Sequence, residues 1–463
     1  MRRMRSPARA VALVLAACAV ACSGAPTAHP AARVLVIGVD GLEWNVLRPL
    51  LAEGRCPNLR ALMERGSFGR LETMQPTLSP IVWTTIATGR RPEEHGILGF
   101  TDDELRGKAY TSSQRRVPAL WNIADRYGLS SDVFGWWITW PAEEIRGLMV
   151  SGSSSAALVD DNWKPTLLPG IPRQVHPRSL EPEALAIATK AGSIEEVRRL
   201  AREMVFGAIP DAQLGDVEKK LMQQTLWSIQ SDATFFEECR QLMPAHPADL
   251  SLVYFGGPDV VGHRFWRYYE PQAFRWLPDP AAGPSAGEKA LAFVIPNYYQ
   301  WIDVLIGDLV RAAGPETTVI VCSDHGMHAF GTEEPAARSI TGHHLDSPPG
   351  VFIAAGPAVH RGPPLADFLA TGTLATLGTV LDVTPTVLAL LGIPRSREMA
   401  GRAMTPLLAG AARDNAGLPP IATHDEGFRP ASKTVLPPEM ERNFQERFKN
   451  LGYIGTEDDA KGK

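Results

Sequence analysis

Cysteine is scarce in this chain, and long apolar runs are scarcer. Five of the 463 residues are cysteine. Two of them, Cys18 and Cys22, lie close to the N-terminus, which leaves Cys56, Cys239 and Cys322 for the rest of the chain. An odd number without metal-type spacing indicates neither a disulfide framework nor a cysteine-based zinc site. Past the N-terminal segment no stretch reaches the roughly 18 uninterrupted apolar residues of a membrane-spanning helix. A broad basic field is missing as well, since 46 Lys and Arg face 51 Asp and Glu for a formal charge of -5. Binding to a nucleic-acid duplex therefore has no electrostatic support. Internal repeats and long low-complexity tracts are also absent. What remains is 44% apolar and 21% charged, the composition of an ordinary globular protein.

The first 22 residues read as a leader. Arg2, Arg3, Arg5 and Arg9 precede an apolar run of about ten residues, the charged and hydrophobic regions of a secretory signal. Small residues lead into a cysteine twice, at Leu15-Ala16-Ala17-Cys18 and at Ala19-Val20-Ala21-Cys22. Both resemble the lipobox of bacterial lipoproteins, so the chain is expected to be exported to the bacterial cell envelope or periplasm and held at the membrane by a lipid on Cys18 or Cys22. Cleavage before Cys22 removes four arginines and no acid, moving the charge from -5 to -9.

Past the leader, apolar runs end repeatedly in an acid. Residues 34–40, "VLVIGVD", suit a strand buried on both faces of a parallel sheet. "LSLVYFGGPD" ends at Asp259, "TVIVCSD" ends at Asp324, and "GVFIAAGP" follows two histidines. Helical or loop-like sequence separates these runs, which predicts an α/β fold. Ligand sites in open α/β sheets lie outside the carboxyl ends of the strands, so Asp40, Asp259 and Asp324 are expected to share one site. The catalytic α/β domain is expected in two parts, 33–150 and 248–410. Between them, residues 151–247 read as a largely helical insert that either caps the site or covers a sheet face. Residues 411–463 read as an extension with a docking helix, in which Met440, Phe444, Phe448 and Leu451 share a face, and a frayed tail.

The polar residues near these strand ends include metal-type donors. Asp259 and His263 form D-x-x-x-H, Asp324 and His325 are adjacent, and His343 and His344 sit in "TGHHLD". Carboxylate with imidazole suits zinc, and manganese or iron accepts the same ligands. Aromatic residues also cluster in sequence near these motifs: Trp136, Trp137 and Trp140, then Phe265, Trp266, Tyr268 and Tyr269. They either line a leaving-group pocket or pack the insert against the core.

In order along the chain come "VLVIGVDGLEWNVLRPLLAEGRCPNLRALMERG", "QPTLSPIVWTTIATGRRPEEHGILGF", the D-x-x-x-H segment, "SDHGM" and "GHH". This succession resembles the alkaline phosphatase superfamily, and within it the type I phosphodiesterases and nucleotide pyrophosphatases. The resemblance covers residues 33–145 and 248–408 and leaves the insert out. It implies an alkaline-phosphatase-like α/β/α sandwich with a mainly parallel central sheet. It also implies two divalent metal ions, one held by Asp40, Ser79, Asp324 and His325, the other by Asp259, His263 and His344, with His344 favoured over His343. Ser79 would be the nucleophile, with Thr77 as its alternative, and a phosphodiester or related phosphoester the substrate.

Elementary chemistry is consistent with that assignment. A serine hydroxyl is a poor nucleophile near neutral pH until a cation lowers its pKa. A second cation about 4 Å away stabilises phosphoryl oxygens and activates water. Where nucleotide pyrophosphatases carry an asparagine three residues after the nucleophile, this chain has Val82, a departure from the nucleotide-binding pattern. The sulfatase signature is absent, because Pro80 directly follows Ser79. No arginine follows until Arg90, which leans towards diesters over monoester dianions. Two rival functions are a phosphoethanolamine-type transferase of the same superfamily and a non-catalytic envelope binding protein. Oligomeric state is left open.

Overall fold

The computed structural model of the chain describes residues 28–152, 171–275, 285–333, 340–346, 348–430, 433–438, 440–442 and 444–445. The leader with Cys18 and Cys22 lies outside the described residues, as do Phe448 and Leu451 of the C-terminal extension. Among the described residues no helix is long and apolar enough to cross a membrane.

Nine strands form one sheet: β1 (Arg33–Val39), β2 (Ser67–Glu72), β3 (Ser131–Phe134), β4 (Gly147–Val150), β5 (Val175–His176), β6 (Leu250–Phe255), β7 (Thr317–Cys322), β8 (Gly350–Ala355) and β9 (Thr376–Thr379). Their order is β9-β2-β8-β7-β1-β6-β3-β4-β5. Neighbours are parallel except where β8 meets β2 and β7 and where β5 meets β4. The sheet is therefore mainly parallel, and β1 lies at its middle between β7 and β6.

Side-chain alternation on β1 divides the core in two. Leu35, Ile37 and Val39 join one apolar cluster and Val34 and Val36 another, all at most 1% exposed. Because successive strand residues point to opposite faces, both faces of the sheet are covered. Helices α1 (Trp44–Ala52), α2 (Pro57–Arg65), α4 (Asp216–Leu242), α5 (Gly257–Tyr269) and α6 (Val294–Ala313) contribute to the first cluster. Helices α3 (Ser79–Thr88) and α7 (Val383–Leu390) contribute to the second. Each fully buried aliphatic side chain contributes roughly 1.5–3 kcal/mol, so these two layers hold the sheet rigid.

The segment read as an insert divides its roles. Its strand β5 pairs antiparallel with β4 and so extends the sheet edge. The 27-residue helix α4 sends Ile229, Phe235, Cys239 and Leu242 into the same cluster as Leu35 and Ile37. That helix covers a sheet face. Cys56, Cys239 and Cys322 are all free and buried, Cys322 at the end of β7 among core residues.

Candidate metal centre

Three neighbouring parallel strands, β7, β1 and β6, deliver the three acids. Asp40 directly follows β1, Asp324 lies two residues past β7, and Asp259 sits in the first turn of α5 after β6. Two glycines permit this crowding. A Cβ on Gly38 would stand 2.7 Å from the Trp83 ring. Gly41 has φ +66°, and a Cβ there would meet the Asp259 backbone at 2.8 Å, so only glycine admits both the left-handed turn and the contact.

Asp40 and Asp324 are each held through one oxygen and leave the other bare. Asp40 Oδ2 accepts from Tyr254 Oη at 2.6 Å and from Trp83 Nε1 at 2.9 Å. Asp324 Oδ1 accepts from the Gly41 N–H at 3.4 Å. Asp40 Oδ1, Asp324 Oδ2 and Asp259 Oδ1 are buried without a hydrogen-bond partner. Burial, reinforced by the charge of Asp259, pushes Asp40 up to about 7. Burial and the neighbouring Asp40 and Asp259 push Asp324 well above the ordinary carboxylate range. Burial acts the same way on Asp259, but His263 beside it outweighs that and holds it below the usual value.

The imidazoles are oriented from behind. His263 Nδ1 donates to the Gly342 carbonyl at 2.8 Å, which turns Nε2 to within 3.3 Å of Asp259 Oδ1. His325 Nδ1 donates to the Gly326 carbonyl at 3.1 Å, and its Nε2 lies 3.2 Å from Asp324 Oδ2 and 3.4 Å from Asp40 Oδ1. That Nε2 is buried and without a partner. His344 Nδ1 lies 3.1 Å from Thr77 Oγ1, whose own proton goes to the His344 carbonyl at 2.8 Å. The Thr77 oxygen therefore accepts from Nδ1–H. In all three rings Nδ1 is tied to an oxygen, which leaves Nε2 as the atom that can ligate a metal. Burial disfavours the charged form of His263, but Asp259 beside it outweighs that and raises its pKa. Burial pushes His325 down to about 4 and His344 well below its ordinary value, so both are neutral at physiological pH.

Two groups of donors lie within 4.8 Å of one another: Asp40, Asp324 and His325, and Asp259, His325 and His344. His325 belongs to both. His263 and His343 belong to neither, although His263 Nε2 lies 3.3 Å from Asp259 Oδ1. His343 Nδ1 accepts from the backbone N–H groups of His344 and Leu345 at 2.8 and 3.0 Å. Orphaned carboxylate oxygens converging with an orphaned imidazole nitrogen, all buried, are what a divalent cation would satisfy. The residues fit such an ion.

Ser79 opens α3 as its first residue, buried to 4% exposure. The N-cap is Leu78, and no side chain caps the helix. The Ser79 hydroxyl is not spent on capping, and among the described residues no protein group hydrogen-bonds to it. Trp83, one turn further on the same helix face, is the residue bonded to Asp40, which ties the start of α3 to the end of β1.

Sequence reasoning missed the groups that hold the ligands. Trp83 falls four residues after Ser79, and Tyr254 is the polar interruption in the apolar run of β6, so both carried a faint signal. The aromatic residues mostly pack. Trp136 stands edge-on to Trp83 at 5.1 Å, Trp140 contacts Leu436 and Met440, and Phe265, Trp266 and Tyr268 join the core. Trp137 differs: it is half-buried, with Tyr254 at 6.1 Å and Phe100 at 5.9 Å.

The fold and its donor set define a candidate metal centre at the carboxyl ends of a mainly parallel α/β sheet. Residues 34–340 match the family model of type I phosphodiesterase / nucleotide pyrophosphatase. The chain belongs to that family. The family is metal-dependent. A 2,3-bisphosphoglycerate-independent phosphoglycerate mutase of Thiobacillus denitrificans is 23% identical over 184 residues, 38% of this chain and 28% of that protein. The matched segment thus spans little more than a quarter of that relative. Among solved structures, human ectonucleotide pyrophosphatase / phosphodiesterase 5 shares 15% identity at a TM-score of 0.43, with 82% of this chain and all of that one covered. A putative sulfatase from Bacteroides thetaiotaomicron shares 14% at 0.48, over 85% and 76% of the two chains.

Proposed function

We propose that this chain is an exported, lipid-anchored phosphodiesterase in which Ser79 is the nucleophile and two divalent cations, zinc or a similar ion, occupy the strand-end site. The observation that carries the reading is the set of orphaned buried donors, Asp40 Oδ1, Asp324 Oδ2, Asp259 Oδ1 and His325 Nε2, together with an unused serine hydroxyl at the start of the helix whose Trp83 donates to Asp40. Asp40, Asp324 and His325, with the Ser79 oxygen, would hold one ion, and Asp259, His263 and His344 the other. When bound, the ions lower the pKa of a coordinated hydroxyl and neutralise phosphoryl charge.

The chain's own residues supply the rest. Ser79 Oγ forms the bond to phosphorus as the ester P–O bond breaks, and the alcohol leaves carrying a proton equivalent to the one the serine lost. Water then breaks the Oγ–P bond and restores the hydroxyl, so two displacements return the enzyme unchanged. Tyr254 and Trp83 hold Asp40, and Thr77 holds His344, so that the ligand atoms face the reaction. The Thr77 hydroxyl is engaged at both its proton and its oxygen, which favours Ser79 over Thr77 as nucleophile. Among the described residues the ion-pair partners of the site carboxylates are all histidines. A substrate phosphate with a single negative charge suits a site without an arginine clamp.

The test is hydrolysis of bis-p-nitrophenyl phosphate against p-nitrophenyl phosphate by the protein starting at residue 23, with zinc or manganese, beside Ser79→Ala. Diester preference that disappears in the variant is expected. Wild-type turnover in Ser79→Ala would overturn the assignment of the nucleophile, and transfer to an added alcohol in place of water would point to the transferase.

A further inference from the structure

Beside the ligand His344 stands a second histidine whose proton is already assigned. His343 Nδ1 accepts two backbone N–H bonds, from His344 at 2.8 Å and from Leu345 at 3.0 Å. A ring nitrogen that accepts cannot carry the hydrogen, so the proton of the neutral ring sits on Nε2. No acceptor faces that Nε2–H among the described residues, and the residue is half-buried. The ring is held on both sides, perpendicular to ligand His263 at 5.3 Å between centroids and tilted against Phe330 at 4.9 Å. Leu345 is held on its carbonyl side too, since that oxygen lies 2.8 Å from His328 Nε2. His343 is thus a rigid imidazole with its acceptor edge satisfied and its donor edge open, packed against a metal ligand.

We propose that His343 is a substrate-binding residue whose Nε2–H donates to an oxygen of the bound phosphoester. The proposal rests on the phosphodiesterase reading and deepens it. A neutral donor recognises a phosphoryl oxygen without adding charge, and so matches a diester that carries one negative charge. It also gives His343 a role separate from that of His344, whose Nε2 turns towards Asp259 at 3.9 Å. The donor is preorganised, because the two amide bonds fix the ring before substrate arrives.

Two substitutions separate substrate binding from loop support. In His343→Asn the side-chain oxygen can take the place of Nδ1 and accept the Leu345 N–H in an Asx turn, while the Nε2 donor is lost. In His343→Gln the amide N–H reaches towards the Nε2 position, while the Nδ1 acceptor is lost. Each is compared with the zinc-loaded wild type in kcat/KM for bis-p-nitrophenyl phosphate. Calorimetric binding of the same diester is measured in the zinc-loaded Ser79→Ala background, with zinc content and Tm as controls. His343→Asn should lose about tenfold or more in kcat/KM and in affinity, the usual loss for a hydrogen bond to a charged group. His343→Gln should keep most of both, and zinc content should be unchanged in the two variants. Wild-type affinity in His343→Asn, or equal losses in both variants accompanied by loss of zinc, overturns the proposal. Absence of turnover in the wild type would instead count against the phosphodiesterase reading, while the binding titration still reads His343 on its own.

Discussion

Two groups of buried carboxylates differ in what surrounds them. At the strand ends, Asp40, Asp259 and Asp324 converge with three imidazoles whose Nδ1 atoms are tied back. Where α4 meets β3, Glu238 of the helix and Asp132 of the strand are as deeply buried, both close to the Cys239 thiol. Both Glu238 oxygens and Asp132 Oδ2 lack partners. Burial pushes Asp132 up to about 8 and Glu238 well above its ordinary value, so both are protonated at neutral pH. Among the described residues, the donor groupings within metal-binding reach are those at the strand ends, and this pair is not one of them. An orphaned acid alone is therefore a neutral, merely tolerated group. A neutral imidazole aimed at it is what turns the acid into a ligand, since the imidazole supplies a second kind of donor and cannot neutralise the acid by giving it a proton.

The comparison can be broken in four ways, and the largest effect belongs to Ser79. Replacing it with Ala should lower diester turnover on the order of a thousandfold or more while metal content stays near that of the wild type. Steady-state rates with metal analysis check this. Next comes Thr77→Val, which keeps the shape but removes the oxygen that holds His344 Nδ1–H. Zinc affinity or turnover should fall about 10- to 100-fold, read by chelator competition, and survival of the remaining activity would distinguish support from nucleophile. Tyr254→Phe removes one of the two donors on Asp40 Oδ2 and leaves Trp83 in place, so a loss of about tenfold or less in zinc affinity is expected in the same titration.

The smallest effect is on stability and depends on pH. A carboxyl whose pKa is raised by folding binds its proton more tightly in the native state than in the unfolded chain. Stability then falls as pH rises from the unfolded value, about 4, through the folded one, about 7 for Asp40 and about 8 for Asp132. The metal-free protein should melt at lower temperature at pH 8 than at pH 5. Zinc should remove the part due to Asp40 and Asp324, because it stabilises their ionised forms. The remainder should shrink in Glu238→Gln, which should melt a few degrees above the wild type at pH 8 by calorimetry. Equal slopes with and without zinc would contradict the distinction between the two clusters.

Much of the site was legible because its acids terminate strands. Asp40, Asp259 and Asp324 announce themselves by ending β-branched runs, and in a parallel sheet the ends of adjacent strands meet. His263 follows from helical spacing, four residues after Asp259. The supporting groups were hidden because their contacts span the chain: Tyr254 reaches Asp40 across 214 positions and Thr77 reaches His344 across 267. Of the two roles open to the aromatics after His263, packing is the one they take, for a physical reason. On α5 the face that carries Asp259 and His263 turns to the site, and Phe265 and Tyr268 lie on other faces, where they join the core. Amphipathic spacing in α4 likewise showed a buried face without showing which surface it would meet.

The most direct test of the central claim is to quench the zinc-loaded enzyme with acid during turnover of bis-p-nitrophenyl phosphate and locate the phosphoryl group by peptide mass spectrometry. The account predicts a phosphorylated ester on Ser79, absent from Thr77 and from the Ser79→Ala variant. Turnover with the group on Thr77, or with no covalent adduct under conditions that trap one in a related enzyme, would contradict it.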